Sequence, residues 1–362
     1  MKNRRPASVF FTAVLLIVLY FALFPYPLGK ELVAKPSWAV DIATTSSNSA
    51  AGDLPGSGDE GISPFQLGDL FGYVGPEGKL VHVGQRLFQT ALSQTGYINY
   101  TRVGTDWIMR DPHGARLLAF SGFGYPLLSP DGRRVLVVSP DSTGLREVDG
   151  NGDTAWSRDF PATMTSVSLQ GDFLLVGLLN GSLQLLGRNG RPIFQAPPSP
   201  SRIPVIYGCA VTNDGAFIAS VSGLEPQVLT VLGRNGLSYT GALREILSTD
   251  YRREVRVGFS PDSRCLYYED GRGVGLVEPS SGRTSSLSFS GKLAGCAFLK
   301  IGGLAAFAGR DGGRVDLRVV SPFVATFSSE TFTAGDFFLG TIGGQLLLGL
   351  DGRLLRVDIK AL

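Results

Sequence analysis

The side chains able to do chemistry are few and scattered. The 362 residues include two histidines and three cysteines. His82 sits in Leu80-Val81-His82-Val83, an apolar stretch, and His113 in the turn Asp111-Pro112-His113-Gly114. A hydrolytic centre needs an imidazole held against a nucleophile. Neither histidine has a nucleophile elbow near it, so both read as ordinary strand and turn residues, and no catalytic residue is assigned. Cys209, Cys265 and Cys296 cannot all pair and form no Cys-x-x-Cys motif. They read as small buried apolar side chains. Asp149-x-Asn151-x-Asp153 has the oxygen spacing of a calcium loop. However, Thr154 stands where the loop glycine belongs and no later acidic ligand follows. Asp149, Asn151 and Asp153 are thus the one weak metal candidate, and a plain hairpin turn is the simpler reading. The run Gly271-Arg272-Gly273-Val274-Gly275 leads into no helix on which a phosphate could sit. No cofactor is expected. Arg188, Arg234, Arg283 and Arg353 lie in or beside turns and could together form a basic rim on one face. The net charge of +2, with both signs scattered, offers nucleic acid no footprint.

The elements that would hold these residues are strands. Ser129-Pro130-Asp131-Gly132 suits a tight turn, because proline presets φ and serine can bond its own backbone. Val135-Leu136-Val137-Val138 follows as an unbroken apolar run, the pattern of a strand buried on both faces. Leu145 to Val148 is a second strand, Asp149 to Gly152 a turn tolerant of positive φ, and Asp153 to Phe160 a more alternating outer strand. The region from Gly124 to Pro161 is therefore one four-stranded antiparallel sheet that needs similar sheets on both sides.

Copies of it recur. First turns fall at Gly96, Gly132, Gly171, Gly215, Ser263, Gly303 and Gly335, about 40 residues apart, the period of four-stranded blades in a radial array. The 48 glycines are mostly hairpin punctuation of this kind. Small residues recur before the first turn, in Gly208-Cys209-Ala210, Gly295-Cys296-Ala297 and Val257-Gly258, where innermost strands would crowd an axis. The expected fold is an all-β propeller over residues 65–362, with seven blades favoured over eight. The two strands within Phe71 to Val83 are expected to complete the last blade.

Ser129-Pro130-Asp131-Gly132 and Phe259-Ser260-Pro261-Asp262 resemble the turn of WD40 and TolB-like repeats. Asn180-Gly181-Ser182-Leu183-Gln184-Leu185-Leu186 through Gly190 resembles the quinoprotein-like (PQQ-like) repeat, as does Val148-Asp149 through Gly152, Ala155 and Trp156. No Trp-Asp or Gly-His ends a unit, and the repeat tryptophan appears once. The resemblance implies a propeller fold but carries no cofactor site with it.

Ahead of the repeats, Lys2, Arg4 and Arg5 precede an apolar segment, Val9 to Phe24. The expectation is a basic tail over 1–8, a transmembrane signal-anchor over 9–28 and a flexible linker over 29–64. A cleaved signal ending near Ser37-Trp38-Ala39 is the alternative. That arrangement places the N-terminus in the cytoplasm and the propeller outside it, in a periplasm if the cell is bacterial. The expected function is a non-catalytic, membrane-tethered scaffold that binds a protein or peptide on one face of the disc. Two alternatives stand beside it. One is an enzyme, or a small-ligand or carbohydrate binder, using the central channel. The other is envelope assembly, by likeness to quinoprotein-like lipoprotein propellers of the outer-membrane assembly machinery.

Overall fold

Unbroken apolar runs become inner strands and alternating runs become outer ones. In the unit over 164–196, Leu174–Leu178 and Leu183–Leu186 are buried throughout, whereas Pro192–Ala196 lies mostly open to solvent. The computed structural model describes residues 32–42, 61–197, 201–301 and 303–361. Among these, 31 strands form eight antiparallel sheets, seven of four strands and one of three. In chain order the blades span 63–85, 89–121, 125–159, 164–196, 203–246, 257–288, 292–333 and 337–361, and are called blades 1 to 8 below. The eighth takes its outer strand from the other end of the chain. Leu32–Asp41 pairs with Arg353–Ala361, from Leu32 opposite Ala361 to Asp41 opposite Arg353.

Eight apolar clusters, one per junction, show that the ring is closed. Phe65, Leu67 and Val74 of blade 1 pack with Ile342, Leu347 and Leu354 of blade 8. Phe71 and Tyr73 of blade 1 meet Tyr97 of blade 2. Similar clusters join each remaining pair of neighbours. Close approach of inner strands explains the small residues there. A β-carbon on Gly208 would fall 2.3 Å from the Val255 carbonyl oxygen, and one on Gly295 would fall 2.9 Å from Leu339 of the next blade.

Successive turns of an antiparallel meander alternate between the two faces of the disc. The hairpin face carries the turns between first and second and between third and fourth strands. The crossover face carries the remaining turns and the loops that enter the next blade. Three of the first turns share one hydrogen-bonding scheme. Ser129 Oγ donates to Asp131 Oδ1 (2.6 Å) and accepts the Arg134 N–H (2.9 Å). Thr212 does the same with Asp214 and Phe217, and Ser260 with Asp262 and Cys265.

Several expectations need correction. The ring has eight blades, not seven. The strands 63–67, 70–74 and 80–85 do not complete the last blade but form a blade of their own. With an odd number of strands, that blade is entered from the hairpin face. Ser63 Oγ donates to the Thr341 carbonyl beside the first turn of blade 8, and Gly68 lies against Asp336 on the crossover face. The last blade is completed instead by Leu32–Asp41, a strand inside the stretch expected to be a linker. None of its residues is buried, as befits an outer strand. The single-pass membrane placement is also unsupported, because no helix among the described residues is long and apolar enough to cross a membrane. The segment 9–28 itself lies outside the described residues.

Candidate functional site

The predicted chemical residues do not converge. The Asp149 carboxylate accepts the N–H groups of Asn151 (2.8 Å) and Asp153 (3.0 Å), while Asp149 N–H bonds the Asp153 carbonyl. The trio thus forms a hairpin turn between the third and fourth strands of blade 3. Among the described residues, no group of three or more His, Cys, Asp or Glu side chains is placed to hold a metal ion. His82 is half-buried at the junction of blades 1 and 2, stacked on Tyr97 at 5.0 Å and near Phe71 at 5.9 Å. Burial, and secondarily the Arg110 guanidinium, push its pKa below the ordinary 6.5, against a smaller opposing pull from Asp111. Cys209 and Cys265 are buried and their thiols are pushed up to about 12. Such thiols are poor nucleophiles. Cys265 and Cys296 share one apolar cluster between blades 6 and 7, an adjacency the sequence does not suggest.

The expected basic rim divides. Arg188, Arg234 and Arg283 lie by hairpin-face turns, whereas Arg353 follows a crossover-face turn. Each is engaged locally: Arg188 with Glu147, Arg234 with the Gly236 carbonyl, Arg283 with the Phe323 carbonyl and Arg353 with Asp41.

Three features that sequence reasoning missed do gather side chains. The first is apolar and lies on the crossover face over blade 2. Leu87 and Phe88 come from the loop that enters that blade, Val103 from its 101–105 turn and Phe123 from the loop that leaves it. Their exposures are 64%, 38%, 89% and 76%. Phe88 meets Tyr100 edge-on at 6.3 Å, and Gly122 N–H bonds the Thr105 carbonyl, so the three loops lie side by side. The second is a charged cavity of about 860 Å³ on the same face between blades 6 and 7, lined by Arg253, Arg256, Lys292, Arg310, Glu254, Glu269 and Asp311 among others. There Arg253 makes a bidentate pair with buried Glu269 (2.6 and 2.9 Å), and Arg256 reaches the Ala294 carbonyl (2.8 Å). The third is a smaller cavity on the hairpin face, bounded by blades 6, 7 and 8.

Comparison with known proteins follows this geometry. A protein-family model described as a beta-propeller protein matches residues 1–362. The chain belongs to that β-propeller family. An uncharacterized protein of Treponema pallidum (strain Nichols) is 21% identical over 364 residues, covering 100% of this chain and 96% of the relative. Among solved structures, BamB from Moraxella catarrhalis superposes with a TM-score of 0.55 at 15% identity, covering 90% of this chain and 100% of that one. The computationally designed Ika8 protein gives a TM-score of 0.56 at 11% identity, covering 83% and 96%. Dihydro-heme d1 dehydrogenase NirN gives 0.52 at 16% identity, covering 74% and 60%. Likeness at such identities speaks for the propeller fold alone.

Proposed function

We propose that this propeller is a non-catalytic interaction scaffold that holds a protein or peptide partner on the crossover face of its ring. The observation that carries this reading is the apolar patch over blade 2. Four large apolar side chains from three adjoining loops are exposed there, and a gathering of that kind, unlike a single exposed residue, marks a contact site. Aromatic side chains such as Phe88 and Phe123 are also enriched at interface cores. Loops on a rigid ring are free to carry such residues, because the ladders beneath them do not depend on their identity. Partner binding of this sort would also serve an envelope-assembly role, which the likeness to BamB supports at the level of fold only.

The test is a triple substitution, Leu87→Ser, Val103→Ser and Phe123→Ser, with Leu237→Ser and Val324→Ser on the hairpin face as control. Exposed positions like these cost within about 0.5 kcal/mol of stability each. Crosslinking in the native host should recover a partner with the wild type and the control, and lose it with the triple variant. Equal recovery from all three proteins would remove the assignment.

A second reading has one observation in its favour. Arg256, Lys292 and Arg310 line the charged cavity between blades 6 and 7 together with Glu254 and Asp311, Glu269 being held by Arg253, and the excess of cations over carboxylates suits a small anionic ligand.

A further inference from the structure

We propose that the hairpin-face cavity binds an apolar-bodied carboxylate, a hydrocarbon group the size of an aromatic side chain ending in a carboxylate. The cavity measures about 510 Å³, within the range of roughly 300–1,000 Å³ typical of small-ligand sites. It lies on the face opposite the apolar patch, so it stands or falls independently of the scaffold reading.

Its floor and walls are apolar. Leu299 and Leu304 are buried, and Phe298 packs on Tyr267 and Phe307 with centroids 5.8 and 6.1 Å apart. Pro261, Pro322 and Phe323 add to this apolar surface, and Ser260, Ser321 and Thr341 line the cavity beside them. Phe323 is held at φ +66°. That region favours glycine, and a bulky residue held there is a genuine outlier. Arg283 donates to the Phe323 carbonyl and lies 5.7 Å from its ring centre. Phe323 is the third residue of the turn Ser321–Val324, closed by the Val324 N–H on the Ser321 carbonyl (3.0 Å), and the turn sets its φ.

The rim sets the sign of the ligand. The Asp262 carboxylate is already occupied by the Ser260 hydroxyl and the Arg264 N–H, and Glu278 accepts the Ser281 hydroxyl. Arg264 makes only a long 4.0 Å pair with Asp262, and among the described residues no carboxylate lies within ion-pair distance of the Lys300 ammonium. The rim carries two carboxylates and two cations, and Lys300 is the cation left for an incoming carboxylate; beneath it lies an aromatic-lined slot. A carboxylate at the rim with a ring or branched chain below it satisfies both. A peptide ending in an aromatic residue and a free aromatic acid share this chemistry.

The full chain would be titrated calorimetrically with N-acetyl-Ala-Ala-Phe, with its C-terminal amide and with 3-phenylpropionate. The acid peptide should bind saturably and the amide about tenfold more weakly or worse. Lys300→Gln should cost a similar factor and Lys300→Arg much less. Phe323→Gly should abolish binding without lowering Tm, because glycine accepts the backbone conformation. Competition by 3-phenylpropionate at equal affinity would point to a free acid as the natural ligand, and binding by the peptide alone to a chain terminus. Failure of all three probes to saturate, equal affinity for acid and amide, or binding that survives both K300Q and F323G would overturn the proposal.

Discussion

Arg134 is 1% exposed, the largest side chain buried so completely. Its guanidinium forms a fork on Glu147, with Nε to Oε1 at 3.0 Å and an NH2 nitrogen to Oε2 at 2.7 Å, and it also reaches the Gly171 carbonyl in blade 4. Trp156 Nε1 donates both to Glu147 (2.8 Å) and to the Arg188 carbonyl in blade 4 (3.1 Å). The network therefore ties two blades together beside their apolar cluster. Removing one partner would leave a buried charge with nothing opposite it. Glu147→Gln should cost about 3–5 kcal/mol in urea unfolding, while replacing both Arg134 and Glu147 with apolar residues of like volume should restore most of that loss. The network is invisible in sequence, because charges flanking strands normally read as surface. The first turns are the opposite case. Ser129-Pro130-Asp131-Gly132 forms the bonded turn its residue types suggest, with Gly132 at φ +69°, since such turns depend only on residues a few positions apart. Ser263 occupies the corresponding position at φ +62°, a serine doing what glycine does more easily.

The same contrast appears among whole strands. Blade 3 lies where the sequence places it, because its four strands are consecutive and its turns are local. Leu32–Asp41 escapes the same reading because its partner, Arg353–Ala361, is at the far end of the chain and supplies the backbone pairing that no neighbour in sequence could. Blade 1 departs most from the repeat. Among the described residues its junction with blade 2 has three buried apolar residues, Phe71, Tyr73 and Tyr97, with Ile62, Val81 and Leu92 partly buried against them and His82 stacked on Tyr97. Burial favours the neutral imidazole there, and Arg110 adds to the effect. The folded pKa of His82 is thus below its unfolded value of about 6.5. As pH falls through that value, the unfolded chain takes up a proton that the folded chain resists. Stability from this site is accordingly present above pH 6.5 and lost as pH drops toward the folded pKa. His82→Gln should reduce the difference in Tm between pH 7 and pH 5. An identical difference in the two proteins would show that the imidazole is not coupled to folding. Hydrogen exchange in blades 1 and 2 would locate the opening to this junction.

At the scale of the ring, the blade count depends on how the seam between blades 8 and 1 is closed. The forty-residue period counts four-stranded units and therefore passes over a three-stranded one. It also misplaces the final unit, since Gly335 belongs to the loop that enters blade 8, whose first turn is Gly343-Gly344. Both misreadings fall at the seam where the chain's two ends meet. That seam is held in two ways. Leu32–Asp41 caps the edge of Arg353–Ala361 with backbone pairing over nine opposed residue pairs. Trp38 then packs over Gly78 and donates to the Pro76 carbonyl (2.7 Å), which Arg356 also reaches (2.8 Å), so the capping strand bridges blade 8 to blade 1. Closure matters because an open ring exposes sheet edges and the apolar faces of the two blades at the gap. Deleting residues 1–41 should lower stability by about 2–3 kcal/mol, a Tm shift of roughly 5 °C in a chain of this size. A synthetic peptide of residues 32–41 should raise the Tm of the truncated protein in a concentration-dependent way, as a ligand of the folded state must. If the truncated protein unfolded at the wild-type temperature, or the peptide had no effect at millimolar concentration, blade 8 would not need its borrowed strand and closure would rest on the side chains of blades 8 and 1 alone.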